Sequence, residues 1–143
     1  IRDRQQFQPG FEQIDTNVSV AVPIYGRYDF LNRHGLLPGA GLEPFLTKAV
    51  MPGPPHSCPK LWELASPESQ VHAEAPPFLI IHGSADTMIP VEEARHFVAA
   101  LRQSAASPVD YAEVPGAQHG YDLVCSSWAM PTVYAVSRFL SAH

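Results

Sequence analysis

The 143-residue sequence predicts an α/β fold in which parallel strands alternate with helices, together with a proline-rich insertion. Short β-prone apolar runs occur at residues 18–25, 78–81 and 109–114. Patterns with the helical period follow the second and third of these runs. The connections are also long enough for the crossovers that parallel strands require.

The first run, VSVAVPIY at residues 18–25, is typical of a strand covered on both faces of a parallel sheet, although Pro23 disfavours its end. The chain then changes character, since nine of its fifteen prolines lie in residues 26–77. We predict here an irregular, cap-like insertion with short helices at most, around residues 42–50 and 61–64. Such a segment either caps a pocket or is a surface crossover with no binding role.

Residues 78–143 are predicted to form strand, helix, strand and helix. The strand FLII ends at HGSAD, where Gly83 permits a tight turn. In the helix predicted at 92–103, one apolar face repeats at i, i+3, i+4 and i+7: Ala94, Phe97, Val98 and Leu101. The strand VDYAEV and the loop PGAQHGYD precede a second helix, whose predicted face is Ala129, Val133, Val136 and Leu140. Aromatic and apolar residues expected in the core are Phe97, Val98, Trp128, Tyr134 and Phe139.

The composition is that of a folded chain without the charge pattern of a nucleic-acid-binding protein. Hydrophobic residues make up 45% and charged residues 16%, and the net charge of −5 includes no basic cluster. We therefore expect no nucleic-acid partner. No apolar run approaches the roughly 20 residues that a membrane-spanning helix needs, so no membrane span is predicted. These observations select no cellular compartment.

The sequence predicts neither a metal site nor a bound cofactor. Cys58 and Cys125 are too few and too far apart for a zinc site or a disulfide framework, although a single bridge between them stays open. Several histidines could serve as ligands but lack HxxxH or a similar spacing: His34, His56, His72 and His96.

Two polar loops directly follow predicted strands. Asp86 lies five residues past Ile81 in HGSADTMIP, and His119 lies five residues past Val114 in PGAQHGYD. In open parallel sheets, ligands bind beyond the carboxyl ends of the strands, where such loops meet. If the strands are neighbours, the carboxylate can orient the imidazole and stabilise its protonated form. The pair alone is weak evidence, since a chain with seven histidines offers many Asp and His combinations.

The residues around both loops resemble the C-terminal part of α/β-hydrolase esterases and lipases. The segments APPFLIIHGSADTMIPVEEARHFVAALR and VDYAEVPGAQHGYDLV are most similar to hormone-sensitive-lipase-like and acetylxylan-esterase-like members. In that family a strand, HG, an Asp and VP open the next helix, and VSVAVPIYGRYDF resembles the strand and YGxYD turn further upstream. The resemblance implies that Asp86 is the acid and His119 the base of a catalytic triad that works without cofactor or metal.

The same resemblance implies a nucleophile that these residues lack. In the family the serine lies in a GxSxG turn before the acid and the base, and no GxSxG occurs here. We expect the serine upstream of Ile1, so that residues 1–143 form the C-terminal portion of one α/β-hydrolase domain and are inactive alone. Strand edges and apolar faces would then lack their cover, which predicts dependence on the missing N-terminal part or association between copies.

Other polar residues near the two loops are weaker candidates. Ser84 follows a strand but lacks the flanking-glycine turn of a nucleophile, which favours a role in the turn itself. His82 precedes only one glycine, which favours a structural role over an oxyanion loop. Asp122, Asp110 and Glu113 are alternatives for the acid.

The predicted function is hydrolysis of small-molecule carboxylic esters, and the resemblance implies short or medium acyl chains. Two other functions stay open. A serine peptidase of the prolyl-oligopeptidase type shares the fold and the order of Asp and His, and assays on esters and on peptide amides separate the two. A non-catalytic α/β module would pack on a partner, and an in-frame GxSxG upstream of Ile1 would argue against it.

Overall fold

A computed structural model describes residues 8–37, 42–123 and 126–143. Their order is helix, helix, a short 3₁₀ helix, strand, helix, strand and helix. The bounds are α1 Glu43–Ala49, α2 Pro59–Ala65, the 3₁₀ helix Pro67–Gln70, β1 Phe78–Gly83, α3 Val91–Ser104, β2 Val109–Val114 and α4 Ala129–Ala142.

The strands β1 and β2 are parallel neighbours, in agreement with the predicted α/β class. Their register runs from Phe78 opposite Val109 to Gly83 opposite Val114. Helix α3 connects them as a crossover, which parallel pairing requires. Both strands therefore end at the same edge of the sheet, and the loops that follow them start side by side.

The predicted strand at residues 18–25 pairs with β1 but is not continuous. Leu79 N donates to Ala21 O at 3.0 Å, and Tyr25 N donates to Ile81 O at 2.8 Å. Between these bonds, regular parallel pairing would have residue 23 donate to Leu79 O, and Pro23 has no N–H. The predicted parallel pairing is therefore present, and Pro23 interrupts it as the sequence indicated, but the predicted cover on both faces is not seen in the described residues. One missing donor leaves two isolated bridges, and the side chains of residues 20–25 are only half-buried.

Helices α3 and α4 cover opposite faces of the strands. The predicted apolar face of α3 is confirmed, since its four residues are buried in one cluster with Ile80. On the other face, Phe139 of α4 is buried with Leu79 and Ile81. Alternating side chains of β1 thus supply both cores.

Only part of the predicted apolar face of α4 packs against the sheet. Two aromatic residues predicted for the core, Trp128 just before α4 and Tyr134 within it, are exposed. Val136 is half-buried against the sheet, and Phe139 is buried. The remaining large side chains are exposed: Trp128, Val133, Tyr134 and Leu140.

Thr132 explains why α4 packs through a different face from the predicted one. Thr132 is buried, and its hydroxyl lies 3.0 Å from the hydroxyl of Tyr121. With a hydrogen-bond partner, this polar side chain can occupy the buried face at modest cost. Thr132, Val136 and Phe139, at i, i+4 and i+7, form the packed face instead of the more apolar set.

Residues 26–77 contain the short helices α1, α2 and the 3₁₀ helix, near the positions predicted for short helices. Buried Trp62 anchors α2, because its indole N–H donates to Gly53 O at 2.9 Å. At the start of the segment, Glu93 of α3 accepts the backbone N–H groups of Tyr28 and Asp29. That this segment caps a pocket stays a prediction.

No helix in the described ranges combines the length and apolar character needed to cross a membrane. Cys58 is half-buried and forms no disulfide with a described residue. Cys125 lies outside the described residues, so the single bridge left open by the sequence stays open.

Candidate active site

The carboxylate of Asp86 lies in the loop between β1 and α3, where backbone amides hold one of its oxygens. Oδ1 accepts the N–H of Met88 at 2.9 Å and that of Ile89 at 2.8 Å. An aspartate that binds amides two and three residues ahead shapes its own turn. The side chain has no solvent exposure, so Oδ2 is left to bind other side chains.

His119 binds that second oxygen. Its Nδ1 lies 2.8 Å from Asp86 Oδ2. Because a carboxylate only accepts, Nδ1 carries the proton and donates it. The imidazole is 27% exposed, and no hydrogen bond from the described residues reaches its Nε2. The pair therefore presents one open nitrogen at the edge where β1 and β2 end.

Contacts between the two loops hold this pair together. A β-carbon on Gly83 would lie 2.3 Å from the carbonyl oxygen of Ala117, so only glycine allows this approach. Ala85 N donates to the same carbonyl at 3.1 Å. Ser84 Oγ accepts the N–H of Gly116 at 2.9 Å. Gly83 thus sets the distance between the loops, and Ser84 links them.

His82 lies beneath the acid loop and shares the carboxylate. Its ring is fully buried, with Nε2 2.9 Å from Ile89 O and 3.3 Å from Asp86 Oδ2. Because Ile89 O only accepts, Nε2 carries a proton, whereas the buried Nδ1 has no hydrogen-bond partner among the described residues. His82 therefore supports the loop of Asp86 from inside the protein. The sequence indicated a structural role for His82 but not its contact with Asp86.

Tyr25 lies against His119 from the end of the segment that pairs with β1. The two ring centroids are 4.5 Å apart, and the Tyr25 hydroxyl donates to Asp122 Oδ1 at 2.8 Å. Burial, and then the bond to Asp122, raise the pKa of Tyr25 to about 12. Sequence reasoning missed Tyr25. The only available signal was its place directly after a strand, in the YGRYD turn.

The alternative acids have other surroundings. Asp122 is bound by Tyr25. Glu113 pairs with Arg95 at 2.7 Å, and this hydrogen bond lowers the pKa of the glutamate. Asp110 is exposed on β2. Of the sequence-predicted acids, Asp86 is the one whose carboxylate oxygen lies within hydrogen-bonding distance of His119 in the described part of the chain.

A second polar cluster, away from His119, contains ligand types that metals use. Oxygens of Asp29 and Glu68 and a ring nitrogen of His34 lie within 4.8 Å of one another. However, Arg33 Nε lies 2.9 Å from Asp29, and its Nη2 lies 3.5 Å from Glu68. The Arg33 guanidinium thus already contacts both carboxylates, and the residues fit an ion-pair network better than a metal site.

Comparisons with known proteins cover most of the chain. The profile of the family described as BD-FAE matches residues 2–101, a range that includes Asp86 and ends before His119. A Mycobacterium tuberculosis protein described as "Probable carboxylic ester hydrolase LipM" is 43% identical over 136 residues, 95% of this chain and 31% of that protein. "Esterase LipQ" of the same organism is 44% identical over 133 residues, 93% of this chain and 31% of that protein. The chain thus spans about a third of the length of these curated relatives.

Among solved structures, the butyrate-bound thermophilic esterase Est2 of Thermogutta terrifontis is similar with a TM-score of 0.72. The match has 20% sequence identity and covers 94% of this chain and 48% of that chain. At this identity the likeness concerns the fold. It confirms the predicted fold class, a part of an α/β-hydrolase fold.

Proposed function

The chain belongs to the BD-FAE family, and from that premise we propose that it forms the acid- and base-bearing part of a serine-dependent carboxylic-ester hydrolase. The observation that carries the proposal is the 2.8 Å hydrogen bond between His119 Nδ1 and Asp86 Oδ2, which leaves Nε2 open. The names of LipM and LipQ support an ester as the substrate.

In the proposed reaction, Asp86 holds the imidazole in the tautomer whose Nε2 lone pair can accept a proton. His119 takes the proton of the serine hydroxyl as that oxygen attacks the ester carbonyl, and then gives it to the leaving alcohol. Asp86 stays ionised and stabilises the imidazolium that forms in between. Water activated by the same histidine then releases the carboxylic acid from the acyl-enzyme. Backbone amides would stabilise the oxyanion in both steps.

The serine comes, in this proposal, from a part of the protein outside these residues. Ser84 is close to Asp86 in sequence, but its Oγ accepts the N–H of Gly116 in a contact that links the two loops. It also lacks the GxSxG pattern that raises a nucleophile above a strand end. The relatives are about three times as long as the region they share with this chain, which leaves room for a serine upstream.

The partner that completes the site is proposed to be the N-terminal part of the same fold. Among the described residues, the segment at 20–25 bonds to β1 on one side, and its other edge is free for a further strand. An apolar cavity of about 550 Å³ opens beside this segment, with Val18, Tyr28, Phe78 and Phe97 among its lining residues. Apolar surfaces of this kind are normally covered in a folded protein. Pairing of two copies through this surface would be the competing outcome.

We further propose esters of short acyl chains as substrates. The support is the butyrate-bound state of Est2, whose fold matches this chain. Neither Asp86 nor His119 distinguishes acyl chains, because both act on the proton and not on the acyl group. Chain-length selection would therefore reside in the pocket walls.

A fluorophosphonate probe tests the proposal, with labelling read by intact mass. The samples are the protein with its natural upstream sequence, residues 1–143 alone, and His119→Ala and His56→Ala in the longer form. His56 is an exposed histidine of the 26–77 segment and serves as the matched control. We expect labelling of the longer form and of His56→Ala, and none of residues 1–143 alone.

Hydrolysis of p-nitrophenyl butyrate should fall at least about 1,000-fold in His119→Ala and stay near the wild-type rate in His56→Ala. Labelling of residues 1–143 alone would contradict the external serine. Faster turnover of a peptide amide than of the ester would indicate a serine peptidase. A longer form that neither reacts with the probe nor hydrolyses either substrate would indicate a non-catalytic module.

A further inference from the structure

Tyr25 has a backbone conformation that is unusual for an aromatic residue. Its φ is +42°, in the left-handed region, which Gly, Asn and Asp adopt far more readily than a bulky side chain. Strained residues persist where the surrounding contacts hold them in place, and they cluster at functional sites. We therefore expect the contacts of the Tyr25 side chain to hold it in this conformation.

The backbone and the side chain of Tyr25 join three parts of the molecule. Its N–H donates to Ile81 O at 2.8 Å, which ties the residue to β1 shortly before the acid loop. Its hydroxyl donates to Asp122 Oδ1 at 2.8 Å, which ties it to the base loop three residues after His119. Its ring lies 4.5 Å from the His119 ring, and the ring of Tyr121 meets it edge-on at 5.9 Å. Both ends of the side chain are thus held while its ring contacts the imidazole.

We propose that Tyr25 is a positioning residue, which fixes the plane of the His119 imidazole through ring contact and through its bond to Asp122. The proposal rests on the proposed function for its consequence in catalysis. A hydrogen bond at Nδ1 alone leaves the imidazole free to tilt about that bond, and Nε2 would then move away from the serine. The Tyr25 ring, packed against the imidazole at an interplanar angle of 56° and held at its hydroxyl by Asp122, removes this freedom. In this proposal the left-handed turn at Tyr25 serves to direct its ring towards the base loop.

The hydrogen bond from the Tyr25 hydroxyl to Asp122 persists over the pH range in which a histidine base works. Because the pKa of Tyr25 is raised to about 12, the phenol stays protonated and remains a donor to Asp122. Asp122 therefore keeps a neutral partner, and the bond does not switch as His119 gains and loses its proton.

Three variants of the full-length protein separate positioning from stability. Tyr25→Phe keeps the ring but removes the donor to Asp122, and we expect kcat for p-nitrophenyl butyrate to fall about tenfold. Tyr25→Asn removes the ring but keeps a residue that tolerates the left-handed turn, and we expect a fall of about 100-fold. Tyr111→Phe is the control, since Tyr111 also donates to a carboxylate, Glu113, at 2.9 Å but on β2. We expect its kcat to stay within about twofold of wild type.

In the Tyr25 variants KM should change less than about twofold, because the ring orients the base and does not bind the ester. A purely structural role would instead lower the melting temperature in step with activity. In that case Tyr25→Phe and Tyr111→Phe would behave alike per folded molecule. Wild-type kcat in Tyr25→Asn would overturn the proposal.

Proton NMR of the His119 Nδ1–H resonance provides a readout that does not depend on ester hydrolysis. We expect a protected, downfield signal in the wild-type protein, retained in Tyr111→Phe and broadened or shifted in Tyr25→Asn. An unchanged signal in Tyr25→Asn would overturn the positioning role even if the protein is an esterase. A changed signal in a protein without esterase activity would support the positioning of His119 while rejecting the proposed function.

Discussion

Two buried carboxylates, Asp86 in the loop after β1 and Glu93 in the first turn of α3, bind different kinds of partner. Glu93 is 2% exposed, and its Oε2 accepts the backbone N–H groups of Tyr28 at 2.9 Å and Asp29 at 3.0 Å. Asp86 gives one oxygen to backbone amides and the other to the ring of His119. A backbone amide has a single proton, so the cluster around Glu93 is closed. An imidazole has a second nitrogen, so the cluster around Asp86 remains open to a further partner.

This difference separates structural from chemical use of a buried carboxylate. At Glu93 the charge compensates two amides that would otherwise be buried without acceptors, and it fixes the turn at residues 26–33 against α3. At Asp86 the same type of interaction fixes the loop through Oδ1, and Oδ2 controls the tautomer of a half-exposed base. Substitutions at the two positions should therefore affect different measurements.

The largest expected effect is on the rate of Asp86→Asn. An amide at this position can donate to His119 Nδ1, which would leave the proton on Nε2 and abolish base function. We expect kcat for p-nitrophenyl butyrate to fall about 10,000-fold, as removal of the carboxylate does in other serine hydrolases. Glu93→Gln is the matched isosteric control, with activity per folded molecule near wild type. Equal losses of activity in both variants would remove the distinction between the two carboxylates.

The second largest effect is expected for Gly83→Ala, which should lower both the free energy of unfolding and kcat. The new β-carbon would lie 2.3 Å from Ala117 O and 2.8 Å from Ala117 C, so the base loop must move. Overpacking of this kind costs about 1–3 kcal/mol, and a displacement of about 1 Å can lower a rate about 100-fold.

Gly53→Ala is the control for Gly83→Ala. Its β-carbon would meet the Ser57 hydroxyl at 2.6 Å, and this flexible side chain can rotate away. Thermal unfolding and kcat measured together separate the two variants. Normal activity in Gly83→Ala would mean that the approach of the loops does not set the geometry of the pair.

A smaller effect, on stability alone, is expected for Glu93→Gln. The neutral amide keeps an acceptor for the N–H groups of Tyr28 and Asp29 but loses the charge that strengthens both bonds. We expect the free energy of unfolding to fall by about 1–3 kcal/mol, measured by urea denaturation. An unchanged denaturation midpoint would show that the charge of Glu93 does not hold the turn.

Local pattern predicted the parts of the fold in which one rule dominates. The face of α3 follows from large apolar residues at helical spacing, and the approach of Asp86 to His119 follows from two neighbouring parallel strands. The predictions fail where one polar group determines the packing or pairing of an element. Pro23 lacks one N–H and divides a strand, and Thr132 enters a buried helix face because Tyr121 binds its hydroxyl.

Side-chain contacts between residues far apart in the sequence could not be predicted from such local patterns. Tyr25 reaches Asp122 across 97 residues, and no periodicity encodes this pairing. It depends on a left-handed turn that the sequence YGRYD does not identify, because Tyr is disfavoured in that conformation. The contact of His82 with Asp86 is closer in sequence but depends on how the acid loop folds over the ring.

The smallest effect is expected for Ser84→Ala, which tests whether Ser84 only links the acid and base loops beside the Asp86 cluster. The variant removes the acceptor of the Gly116 N–H at the exposed rim of the loops, where water can replace it. We expect unfolding free energy to change by less than about 1 kcal/mol and kcat to fall no more than about threefold. Fluorophosphonate labelling of the full-length protein should be unchanged, since Ser84 links the loops and does not attack the substrate. Loss of labelling would instead make Ser84 the nucleophile, and the open nitrogen of His119 would then serve a serine within its own loop pair.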